Sequence, residues 1–292
     1  QYAPKEFENE LKRAQRPEKV SDFNAGYANG DPHKVPGFSS DSTILDLQML
    51  ISRGWLGAED VGTLVKQIER KKVRLIQEGF TLFQRDIHAV GGTLTPMPQE
   101  FYLSQVNLAS PGECAGIANT LALSMQSGQE TTYLGNMFKA AADPRDPVAT
   151  QFIRTLRSFH EAVKHVDTFH MGKQPRQIPY HQIATELTDA SPPRSLRIAT
   201  KDHALLAGVM VRDDKPVWFY FDPNFGMAQF DSAEAMKNGL ERTLNRGTSP
   251  FQHRAYGTNP GTPEYQVSYF ESGDMQFYRD SAQVHRIASV PL

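Results

Sequence analysis

The chain carries one cysteine in 292 residues. An internal disulfide is therefore excluded, and with it the small disulfide-framed scaffold; a lone thiol fits a reducing compartment. Neither sign of charge dominates. Lys and Arg number 31 against 33 Asp and Glu, for a formal net charge of −2 and a sequence pI near 6.5. That balance lacks the electrostatic footprint of a nucleic-acid or anionic-membrane binder. Long hydrophobic runs are missing too. The longest, such as Ala204 to Val211, are strand-sized, so no transmembrane segment is predicted. The N-terminus, Gln1-Tyr2-Ala3-Pro4-Lys5-Glu6-Phe7, has no charged-then-apolar signal pattern and no initiating Met, which reads as a fragment or a processed product. Internal repeats and low-complexity linkers are absent as well.

What is present is an ordinary globular composition, 39% hydrophobic and 22% charged. The length suits one large domain, or one domain with a smaller appendage. Residues 1–40 are rich in charge, Pro and Gly and read as a loosely ordered arm. A helical N-terminal region is expected over 41–100. Its first helix runs from Asp41 to Arg53 with Ile44, Leu45, Leu47, Leu50 and Ile51 on one face. A second begins near Ala58 and ends at Glu78-Gly79. The basic stretch Lys66 to Arg74 within it reads as a solvated face rather than a site. Phe80 to Val90 has strand character, and residues 93–112 look loop-like. The main domain is then expected over 101–292.

In that domain, Glu113 to Ser127 reads as a buried helix and Pro147 to Met171 as an amphipathic one. Strands follow at Leu196 to Thr200, Ala204 to Val211 and Val217 to Phe221, then a helix over Ala233 to Leu244. Further strands are predicted at Tyr265 to Phe270 and Met275 to Tyr278. Helices first and antiparallel strands later make the fold class α+β.

The bland reading of a lone Cys is a small buried hydrophobe. The segment Ser110-Pro111-Gly112-Glu113-Cys114-Ala115-Gly116 argues against it. A Pro-Gly turn delivers Cys114 to the first turn of an apolar helix, where unpaired N–H groups and the positive end of the helix dipole stabilise a thiolate. Ala115 and Gly116 leave room for a substrate to approach. His203 stands where the polar Lys201-Asp202 loop enters an apolar strand. Asp222 ends the strand Trp218-Phe219-Tyr220-Phe221, just before Pro223-Asn224-Phe225-Gly226. An acid there can orient an imidazole, although Asp-Pro-Asn is also simply a turn whose side chains bond their own backbone. Were His203 and Asp222 opposite on a hairpin, its midpoint would fall between Arg212 and Asp213, a little before the centre of the turn residues Arg212 to Pro216, so a wider loop or a bulge is expected to absorb the offset.

Together these three segments resemble the YopT-like, papain-like family of bacterial cysteine proteases. Within it they look closest to effector modules of large toxins, such as the makes-caterpillars-floppy type and multifunctional autoprocessing toxins. The resemblance covers Cys114 to Gly226. It implies a papain-like core and a Cys114-His203-Asp222 triad, with Cys114 attacking a carbonyl, His203 activating it and Asp222 orienting the ring. The oxyanion would be held by the Cys114 N–H and a side-chain amide, Gln105 or Asn107, with no choice between them. It also implies a secreted effector in the host cytosol that cleaves a peptide bond, in itself or in a host protein, with a host small GTPase as activator or target. No cofactor and no metal is implied.

His160, His165 and His170 step by five along a helix, roughly 140° apart around its axis, and cannot share one face for a metal. His88 is a weaker second candidate for the base, without a following acid. The aromatics at 218–221 read as core. Two rival functions remain open: a glutamine deamidase or transglutaminase using the same three residues, and a non-catalytic module in which Cys114 is inert.

Overall fold

The computed structural model describes residues 80–106, 110, 112–245 and 263–292. The expected arm over 1–40, the two helices between Asp41 and Gly79 and the basic stretch 66–74 lie outside the described residues, as does Asn107.

Among the described residues an antiparallel sheet of seven strands forms the middle of the molecule, in the order β1-β6-β5-β4-β3-β7-β2. The strands are β1 (Thr93–Pro96), β2 (Arg176–Pro179), β3 (Arg194–Ala199), β4 (Ala204–Arg212), β5 (Lys215–Asp222), β6 (Gly226–Phe230) and β7 (Glu264–Tyr269). Helices cover both faces. On one side lie α2 (Gln99–Val106), α3 (Cys114–Gln126), α4 (Glu130–Ala142), α5 (Pro147–Val163) and α8 (Ser281–Ser289), packed with Leu206, Met210, Phe219, Phe221 and Met227 of the sheet. On the other lie α1 (residues 80–89), α6 (Tyr180–Thr188) and α7 (Ala233–Leu240), against Leu196, Ile198, Leu205, Tyr220 and Val267. A strand buried on both faces has no polar side to alternate with. That is why β4 reads as a continuous apolar run.

Several sequence expectations are corrected here. Residues 80–89 are helical, not a strand. Phe83 and Ile87, four apart, are buried while Thr81, Arg85 and His88 are exposed, which is the period of a helix. Residues 93–112 are not all loop, since they hold β1 and α2. The helix opened by Asp146, whose carboxylate accepts the N–H groups of Val148 and Ala149, stops at Val163 rather than Met171. Its apolar stripe runs on into the buried turn residue Val166, so spacing alone overshoots the end. Met275 to Tyr278 is largely a 3-10 turn (Asp274–Phe277) in place of a strand. The hairpin between β4 and β5 needs neither bulge nor wide loop. Arg212 pairs with Lys215 across Asp213-Asp214, both at positive φ (50° and 63°), the two-residue turn that matches strand twist. In that register Leu206 faces Phe221, so His203 precedes the ladder and meets Asp222 on a diagonal.

Candidate active site

The site lies where the start of α3 meets the rim of the sheet. α3 is buried on every side from Ala115 to Met125 and mostly apolar, as a helix enclosed by others must be. Its N-terminal residue is Cys114, which is partly buried. Three neighbours of the thiol have their N–H groups committed. Gly112 donates to Ser110 Oγ at 3.2 Å, Glu113 to Gln99 Oε1 at 2.9 Å, and Gly116 to His160 Nδ1 at 3.2 Å. The Cys114 N–H has no acceptor among the described residues.

Gly116 is required by packing. A Cβ there would stand 2.7 Å from His160 Cβ and 2.9 Å from its Cα, so α3 and α5 touch backbone to backbone. His160 caps the helix from outside, because the N-cap residue Glu113 makes no side-chain cap. Burial holds His160 down at about 4, so the ring is a neutral acceptor at ordinary pH. Glu113 is itself buried, and burial pushes its carboxyl up to about 7 while the Arg157 guanidinium, 3.9 Å away, pulls it back.

His203 closes the short loop between β3 and β4, where the Thr200 N–H donates to its carbonyl at 2.9 Å. Its Nε2 lies 2.7 Å from Asp222 Oδ1, and both side chains are almost wholly out of solvent. Asp222 sits at the end of β5 and also accepts the Asn224 N–H at 2.9 Å on the same oxygen. The turn reading and the orienting reading of Asp222 therefore describe one geometry. Gly226 completes the turn at φ 132°, with a Cβ position only 2.2 Å from the Thr95 carbonyl of β1. No other residue type fits there.

With Nε2 on the carboxylate, Nδ1 is the ring atom left for the sulfur, and His203 is close enough to act on the Cys114 thiol. Burial pushes the Cys114 thiol up, but the imidazole outweighs it and holds the thiol below its ordinary range. Buried Arg197 of β3 adds a further lowering influence. Burial pushes His203 down, yet the Asp222 charge and Cys114 raise it to about 10. Each side chain thus favours the charged form of the other, a thiolate beside an imidazolium.

The other predicted residues are scattered. Gln105 lies in the last turn of α2. His88 is exposed on α1. His160 faces Gly116, His165 is exposed, and His170 bonds Asp274 at 3.1 Å and stacks on Phe277. Phe219, Tyr220 and Phe221 are core. Sequence reasoning missed the parts played by Gln99, Glu113 and His160. Glu113 alone had a signal, being adjacent to the thiol.

The profile of the Mcf1 protease effector domain matches residues 3–284. The chain belongs to that family. As a toxin protease effector domain it has protein as its substrate class. A multifunctional-autoprocessing repeats-in-toxin protein of Vibrio vulnificus is 27% identical over 262 residues, which is 78% of this chain and 5% of that protein's length. Among solved structures, PatoxP, a cysteine protease-like domain of the Photorhabdus asymbiotica toxin PaTox, aligns with 94% of this chain and 86% of its own at a TM-score of 0.54 and 16% identity. This Mcf1-type domain thus shares the fold of a cysteine protease-like domain, helices around an antiparallel sheet. The Pseudomonas avirulence protein AvrPphB aligns with 54% of this chain and 92% of its own at a TM-score of 0.29 and 17% identity.

Proposed function

We propose that this effector domain is a cysteine peptidase acting in the host cytosol through Cys114, His203 and Asp222. The observation that carries the reading is the 2.7 Å bond from His203 Nε2 to Asp222, which leaves Nδ1 for the thiol at the head of α3. The thiolate attacks the substrate carbonyl carbon, and an S–C bond forms as the C=O pair moves to oxygen. The unassigned Cys114 N–H supports that oxyanion, joined by the side-chain amide of Gln105 or Asn107. Collapse breaks the C–N bond, and the imidazolium proton passes from Nδ1 to the departing amine. Water, deprotonated by the now neutral ring, then cleaves the thioester and restores the ion pair. The scissile bond belongs to the toxin itself or to a host protein, with a host small GTPase as activator or target.

The test incubates the purified chain, wild type and Cys114→Ala, with host-cell lysate and maps new protein N-termini by mass spectrometry. New termini with wild type only are expected. The reading is overturned if neither protein generates termini and iodoacetamide labels Cys114 no faster than a free thiol. Conversion of a host Gln to Glu without chain cleavage would replace it with a deamidase.

A further inference from the structure

One side chain touches both the approach to the nucleophile and the turn that carries the acid. Gln99 opens α2 and is 3% exposed. Its Oε1 accepts the Glu113 N–H at 2.9 Å, and its Nε2 donates to Asn224 Oδ1 at 2.8 Å. Chemistry fixes both amide orientations. A backbone N–H can only donate, so Gln99 must turn its oxygen toward Glu113 and its NH2 toward Asn224, which must then present oxygen. The Asn224 N–H donates in turn to Asp222 Oδ1, the atom that also accepts from His203 Nε2. An unbroken line of hydrogen bonds therefore runs from the residue before Cys114 to the imidazole. It joins segments 14 and 125 residues apart in sequence.

The main chain reinforces this connection. The Gln99 N–H donates to the Pro223 carbonyl and the Met97 N–H to the Phe225 carbonyl. The head of α2 thus grips the whole Asp-Pro-Asn-Phe turn while its first side chain reaches the other loop. A Leu of similar size would fill the space, but would leave the Glu113 N–H and the Asn224 oxygen without these partners. Glu, in place of Gln, would set an acceptor against the Asn224 oxygen.

We propose that Gln99, acting through Asn224, is a positioning residue that fixes the separation of the Cys114 sulfur from the His203 ring. It touches no reacting atom, and the inference rests on the reading of Cys114 and His203 as nucleophile and base. Two loops anchored on different elements, α3 and β5, otherwise set that separation independently. The strut makes it one distance.

Alkylation of Cys114 by iodoacetamide as a function of pH reads the thiolate directly, without a substrate. Gln99→Leu and Asn224→Ala are each expected to slow labelling at neutral pH by ~10- to 100-fold, the scale of a small misplacement of reacting groups. Their curves should shift toward the pH of an ordinary thiol, while the variants still melt cooperatively. Because both cut one line, the double variant should lose no more than the worse single variant. The inference is overturned if Gln99→Leu superimposes on wild type, or if the two losses multiply. Should Gln99→Leu fail to fold, Asn224→Ala cuts the same line from its partly exposed end and decides alone. A wild-type curve matching a free thiol would instead remove the nucleophile reading, which separates the two failures.

Discussion

His203 is held through its Nε2. Asp222 grips Nε2 with an oxygen that simultaneously accepts the Asn224 N–H, so that oxygen is locked in place. This has a consequence for Asp222→Asn. In serine-protease triads the same change lets the amide nitrogen turn toward the imidazole and impose the wrong tautomer, with losses near 10⁴-fold. Here the Asn224 N–H keeps an oxygen facing His203, and what is lost is chiefly the charge. We expect kcat/KM to fall by about 10²-fold rather than ~10⁴-fold, and the alkaline limb, set by an imidazole raised to about 10, to move to lower pH. A pH–rate profile checks both; an unmoved alkaline limb would show that Asp222 does not set the His203 charge. Cys114, His203 and Asp222 could be picked out of the sequence because each sits at a local boundary, a helix start, a strand start and a strand end. Gln99 and His160 could not. Their partners are 125 and 44 residues away, and nothing local marks either as special.

At the scale of elements, α3, the helix headed by Cys114, owes its placement to the contact between Gly116 and His160. The atoms a Cβ would strike, His160 Cβ and Cα, cannot rotate aside. Gly116→Ala should therefore separate α3 from α5 and break the His160 cap, at ~1–3 kcal/mol of stability, the usual cost of overpacking. It should also slow turnover, because Cys114 lies two residues away. Urea unfolding beside kcat/KM measures the two effects; wild-type values for both would refute the contact. Strands β3, β4, β5 and β7 were readable from apolar runs and turn residues. The helix at 80–89 was not, since a short apolar stretch is ambiguous until its partners are known. Its period became visible only against the sheet face that Phe83 and Ile87 cover.

At the scale of the whole molecule, two buried groups pull stability in opposite directions. Folded Glu113 keeps its proton up to about pH 7, whereas the unfolded chain releases it near 4.5, so stability falls as pH rises through that window. Folded His160 refuses a proton until about pH 4, whereas the unfolded ring accepts one near 6.5, so stability falls as pH drops through that window. Between 4.5 and 6.5 the two oppose each other. Glu113→Gln removes the first, by at most ~3 kcal/mol across its window. Its urea midpoint should rise more steeply than wild type from pH 4.5 to 6.5 and lose the wild-type decline toward 7. Parallel curves for the two proteins would show that Glu113 titrates normally.

The order of strands in the sheet also dictates when a chain leaving a ribosome or a translocation channel N-terminus first becomes competent. Cys114 emerges early, but β3, which carries the Arg197 charge that lowers its thiol, keeps one edge bare until β7 arrives near the end of the described sequence. Likewise β1 waits for β6, and the Asp222 turn exists only once β5 is complete. Pairings this distant in sequence form late, because the loop must close before the contact is gained. A domain delivered only in part thus presents Cys114 without His203 or Asp222 in place, and the proposed chemistry waits until β7 has followed.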